Sequence, residues 1–123
     1  MLSFTSSLSD HSDAFVVFVT DKHDYKDKNN ILSNELVKKI DSFLKSLKTK
    51  NNKEEINSLD ISEKKKCFII KVKNKYENYY FEEIGGAFYT YVKKFKNINR
   101  IDIYADSLNE KKDKLIKCFS EFI

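Results

Sequence analysis

The sequence predicts an α/β fold: a mixed, mostly parallel sheet flanked by helices on both faces. Three observations predict it. Two apolar runs, Ala14–Val19 and Cys67–Ile70, are continuously hydrophobic and rich in β-branched residues. Strands of that kind need cover on both sides, which a sheet between helical layers provides. Between them and after them lie segments whose apolar residues recur at helical spacing, so strands and helices alternate. At 123 residues, the chain fits one domain.

The elements follow in order. Leu2–Thr5 reads as a short edge strand, and Ala14–Val19 as the first buried strand. The segment 21–30 is polar and unpatterned and reads as a surface loop. A helix is predicted over 33–48, with Leu36, Ile40, Phe43, Leu44 and Leu47 on one face. Ser33 is placed to cap it, and Leu32 and Val37 to form a hydrophobic staple. The segment 49–58 is again polar and loop-like. It leads into a possible strand at Asn57–Ile61, and Cys67–Ile70 is the second buried strand. A second helix is predicted over 79–96, with a stripe of Phe81, Ile84, Phe88, Tyr91, Val92 and Phe95. Ile101–Ala105 is a half-alternating strand. Ser107-Leu108-Asn109-Glu110 has the capping-box pattern and opens a third helix with Leu108, Leu115, Phe119 and Phe122 on one face. That helix is still in apolar phase at Glu121-Phe122-Ile123, without a stop signal. The pattern fits either a helix cut short or a final helix docked on the core.

Composition narrows the function. The formal net charge is +4, but lysine outnumbers arginine 22 to 1, and Arg100 is the one guanidinium. Phosphate and base recognition favour the planar arginine fork, so the lysines read as solvated surface and nucleic acid is not the favoured partner. Cys67 and Cys118 each sit in an apolar run, lack metal-site spacing and do not make a disulfide framework. They point to a reducing, cytoplasmic setting. The first twelve residues lack the pattern of a signal peptide, and no apolar run approaches a membrane span.

Candidate chemistry is sparse. Gly85 and Gly86 are the only glycines, and each costs a helix about 1 kcal/mol relative to alanine. Close packing, where a Cβ would clash, accounts for them better than approach to a ligand phosphate, because no glycine-rich phosphate motif is present. They are assigned a structural role. His11 and His23 each neighbour carboxylates, a pairing able to bind metal or relay protons. With no third ligand in spacing, both read as solvated loop histidines. Glu82 and Glu83 favour the dipole of the helix they open. Lys64-Lys65-Lys66 reads as a gatekeeper before a buried strand. Tyr76, Tyr79, Tyr80, Tyr89 and Tyr91 read as core or interface residues rather than base-stacking groups. No serine or threonine sits in a nucleophile elbow. Catalytic, cofactor-binding and metal-binding residues are therefore all expected to be none.

The order of segments resembles the N-terminal domain of the leucine aminopeptidase (cytosol aminopeptidase) family. The resemblance runs from about Ala14 to Ile123: the buried strand AFVVFVTD, an amphipathic helix ending in Phe43-Leu44, and the lysine-flanked strand KKKCFIIKV. It continues with the helix carrying Glu83-Ile84-Gly85-Gly86, the strand NRIDIYAD and a helix opening after Ser107. The Glu83–Gly86 helix is the best single match. Where family members commonly have a Gly-Leu-Gly turn, this chain has Lys71-Val72-Lys73-Asn74, so the glycine-rich ligand loops of the related macro-type fold are missing. The resemblance implies a macro-like sheet and a non-catalytic domain over 1–123, truncated at its C-terminal helix. It also implies a C-terminal catalytic domain as partner, holding two divalent metal ions and the Asn-Thr-Asp-Ala-Glu-Gly-Arg-Leu signature, and a homo-oligomeric leucyl aminopeptidase as parent. The alternative is a free-standing macro-type module that binds nucleotide or nucleic acid.

Overall fold

The computed structural model describes residues 2–4, 12–27, 30–73, 79–104 and 107. The third helix expected after Ser107, Cys118, His11 and Tyr76 lie outside the described residues.

Among the described residues, five strands and two helices follow one another as β1 (Leu2–Phe4), β2 (Ala14–Thr20), α1 (Asn34–Thr49), β3 (Ile56–Ser62), β4 (Lys65–Val72), α2 (Tyr80–Val92) and β5 (Ile101–Tyr104). They form one sheet in the order β1-β5-β2-β4-β3. The β1–β5, β5–β2 and β2–β4 pairs are parallel. Among the described strands, the edge strand β3 alone is antiparallel, as the first arm of a hairpin with β4. The fold is a mixed, mostly parallel sheet with a helix on each face.

The continuous apolar runs behave as a two-faced sheet requires. Ala14, Val16 and Phe18 of β2 join Phe68 and Ile70 of β4, Ile101 and Ile103 of β5, and Phe81, Ile84 and Phe88 of α2 in one buried cluster. The alternate residues Phe15, Val17 and Val19, with Cys67, Ile69 and Tyr104, join Ile40, Leu44 and Leu47 of α1 in the other. Leu32 is buried in that second cluster and Val37 is half-buried against it.

The helices run in different directions. Lys39 in the first half of α1 donates to the Ile61 carbonyl near the β3–β4 turn, 3.0 Å away. Lys48 at the other end approaches Asp24, just beyond the carboxyl end of β2. Thus α1 runs the same way as β2, and the segment 21–32 must carry the chain back across the sheet face. By contrast, α2 begins at the carboxyl end of β4 and runs back towards the start of β5.

Capping follows residue chemistry. Ser33 Oγ accepts from Leu36 N–H at 3.2 Å, as expected of an N-cap. At the far end Asn51 takes φ 51°. Its N–H donates to the Lys48 carbonyl and that of Asn52 to the Leu47 carbonyl, which is a Schellman motif with asparagine in the left-handed role usual for glycine. The helix expected over 79–96 ends at Val92. Beyond it, Lys94 and Phe95 N–H bond three residues back, to Tyr91 and Val92, and Asn97 turns the chain with φ 71°. The apolar stripe outlasts the helix because Phe95 and Ile98 still pack on the same cluster. No helix among the described residues is long and apolar enough to cross a membrane.

Candidate functional site at the carboxyl end of the sheet

Open α/β sheets bind ligands outside the carboxyl ends of adjacent strands whose connections leave towards opposite faces. Here those strands are β2, followed by the α1 face, and β4, followed by the α2 face.

Thr20 organises the exit from β2. Its Oγ1 accepts from the N–H groups of Lys22 and Asp24 at 3.3 and 3.2 Å. Its N–H donates to the Asp24 carbonyl and its carbonyl accepts from His23 N–H. This turn holds His23 at φ 63°, a left-handed conformation that is uncommon outside glycine. The His23 Nε2 atom is buried and has no hydrogen-bond partner among the described residues. Burial first, then the nearby Lys71 and Lys48 charges, hold its pKa below the ordinary histidine value. His23 is therefore a neutral imidazole at pH 7.

Beside it lies a cleft of about 300 Å³, bordered by His23, Asp24 and Tyr25 and by Asp41, Lys45 and Lys48 of α1. Tyr25 Oη donates to Asp41 at 3.0 Å. Burial, and then that hydrogen bond to a carboxylate, raise the phenol's pKa well above normal. The Lys48–Asp24 pair is 3.8 Å apart and exposed, so it adds little stability. The cleft mixes both charges, as a shallow polar surface does.

Further along, Asp27 is a junction. Its carboxylate accepts from Ile31 and Leu32 N–H at 3.0 and 3.1 Å and from Tyr104 Oη at 2.6 Å. Ser107 completes the closure: its Oγ donates to the Tyr104 carbonyl at 2.6 Å and accepts from Phe18 N–H at 2.9 Å. The hydroxyl thus satisfies a β2 amide beyond the last paired residue of β5. On the β4 side, Lys73 N–H donates to Tyr80 Oη at 2.9 Å, and the phenol's pKa is pushed up to about 12, chiefly by burial. The end of the sheet is sealed by side chains hydrogen-bonded to backbone.

Gly85 is buried on the sheet-facing side of α2 and Gly86 is half-buried. Neither has positive φ, so no left-handed backbone calls for glycine at either position. Glu82 and Glu83 lie in the first turn of α2. Cys67 is fully buried, and burial raises its thiol pKa far out of the reactive range. Lys64–Lys66 lie at the opposite end of the sheet. Tyr80 is buried, Tyr91 packs against the core, and Tyr79 and Tyr89 are exposed. Among the described residues, no group of three histidine, cysteine or acidic side chains is placed to hold a metal ion.

Sequence reasoning missed Asp27 and Asp13, since both sit in polar stretches without periodicity. The Asp13 carboxylate accepts from Asn99 and Arg100 N–H at 2.8 and 3.0 Å, and those two bonds lower its pKa. Comparison with known proteins gives no relative: no family model, no curated protein and no solved structure matches the chain.

Proposed function

We propose that this chain is the non-catalytic N-terminal domain of a cytosolic metallo-aminopeptidase of the leucine aminopeptidase family. It aids assembly or substrate access, while a C-terminal domain with two divalent metal ions removes N-terminal residues from peptides. One observation carries the reading: the helix bearing Glu83-Ile84-Gly85-Gly86 follows the second buried parallel strand and lies on the sheet with Ile84 and Gly85 buried. That is the segment on which the resemblance chiefly rests.

The alternative, a free-standing macro-type module for nucleotide or nucleic acid, draws on the cleft that lies beyond the carboxyl end of β2. Two features oppose it. The Lys73 amide, on the loop where a phosphate would be cradled, is already bonded to Tyr80. The N-terminus of α2, a natural anion site, carries Glu82 and Glu83 in its first turn.

The coding sequence downstream of Ile123 tests the proposal directly. It should continue into a domain carrying Asn-Thr-Asp-Ala-Glu-Gly-Arg-Leu, and a reading frame that closes without it rejects the proposal. The present chain should release no product from leucyl p-nitroanilide with or without Mn²⁺ or Zn²⁺. Saturable binding of ADP-ribose by calorimetry would favour the alternative.

A further inference from the structure

The charge of this protein is not spread evenly. Residues 60–66, residues 93–100 and Asp13 together hold seven cations (Lys64, Lys65, Lys66, Lys93, Lys94, Lys96 and Arg100) and three carboxylates. That excess equals the +4 of the whole chain, so everything else is balanced overall. The fold gathers these segments at one place. The β3–β4 turn, the start of β2 and the loop from α2 to β5 meet at the amino-terminal end of the parallel strands, around a cleft of about 450 Å³. Lys64, Lys65, Lys66 and Lys96 all border it.

The carboxylates of the cleft are largely committed. Asp13 is held by the Asn99 and Arg100 amides, and Asp60 is paired with Lys66. Only Glu63 has no such assignment. The lysines are also held in place by aromatic rings: Lys66 Nζ lies 5.0 Å from the Phe95 ring centre and Lys65 Nζ 6.0 Å from that of Phe15. A gatekeeper role for Lys64–Lys66 needs only a local run before β4. It does not account for Lys96, which a separate segment brings to the same cleft.

We infer that this lysine-lined cleft is a docking surface for an acidic polypeptide segment. Three features favour carboxylates over a nucleic-acid backbone. Lysines act as point charges, whereas phosphate recognition favours arginine's fork. Asp60 and Glu63 at the rim would oppose a strand of closely spaced phosphates, while carboxylates spaced along a peptide can alternate past them. Among the described residues that line the cleft there is no aromatic ring on which a base could stack, and the exposed Tyr79 and Tyr89 lie outside it. The inference is independent of the aminopeptidase reading, because it rests on charge placement alone.

Fluorescence anisotropy tests it. The probe is a labelled peptide of alternating glutamate and serine, with its glutamine twin and an oligothymidylate as comparisons. The glutamate peptide should bind, weakening steeply with added salt, and the twin should not. The double variant Lys64→Glu/Lys96→Glu, at two exposed positions, should weaken binding about tenfold or more. Lys22→Glu/Lys53→Glu, with the same change of net charge at exposed positions outside the cleft, should change it less than about twofold. Circular dichroism confirms that both variants fold. Equal losses in the two variants, equal binding of the twin, or tighter binding of the oligonucleotide would each overturn the inference.

Discussion

The two helices of this protein are held by different forces. Local chemistry specifies α1: a serine cap at one end, a Schellman motif on Asn51 at the other, Glu35 in its first turn and Lys48 in its last. Among the described residues, no side chain caps α2. It carries two glycines, and its last turn has no basic residue. Its stability comes from the tertiary face it covers. There Phe68 of β4 meets Phe88, Tyr91 and Phe95 edge to face, with ring centres 5.6, 6.0 and 5.5 Å apart. Each such contact adds about 0.5–1.5 kcal/mol beyond burial. The contrast shows that a helix with weak local signals persists when its packing face is strong.

The comparison can be broken at Phe68, where the largest effect is expected. Phe68→Ala should cost about 3–5 kcal/mol in urea unfolding and should raise hydrogen exchange in α2 before α1. Equal loss of protection in both helices would mean that the faces are not separable. The glycines sharpen the point. Gly85→Ala inserts a methyl group into a buried position and should destabilise by about 1–3 kcal/mol. Gly86→Ala, at a half-buried position with helical φ, should stabilise by about 0.4–1 kcal/mol. If both variants stabilise, close packing does not explain the pair.

At the other helix, Ser33→Ala removes the cap and should cost about 1 kcal/mol, with the loss of protection confined to the first turn of α1. The smallest effect concerns His23, which sits beside the end of α1. Its pKa is depressed in the folded state, so the unfolded chain takes up the proton first as pH falls. Its contribution is therefore fully present above the ordinary histidine pKa of about 6.5 and declines as pH drops from there towards the folded value. His23→Gln should flatten the fall in unfolding free energy between neutral and mildly acidic pH. An unchanged slope would show that the imidazole is not shielded as described.

Much of the fold was legible because its signals are local or periodic. The doubly buried strands announced themselves by unbroken apolar runs, α1 by spacing and Ser33, and α2 by its stripe. The end of α2 was not legible, because Phe95 and Ile98 continue the apolar pattern after the helix has stopped. Nor was the anchoring of the 21–32 segment. Polar residues with no period reveal no partner, and Asp27 finds Tyr104 77 residues away. The carboxyl-end site was invisible for the same reason, since His23 owes its buried Nε2 to a turn built by Thr20.

The sequence by itself determined which of the described segments are strands and helices, and that the central strands need cover on both sides. Those properties follow from side-chain size, branching and spacing within a few residues. Only the tertiary structure decided the strand order, the direction of α1 along β2, the seal of Asp27, Tyr104 and Ser107, and the meeting of two lysine-bearing segments at one end of the sheet. Each of these joins residues far apart in the chain. Charge and hydrogen-bonding capacity, unlike hydrophobic period, carry no record of the partner until the backbone has brought it near.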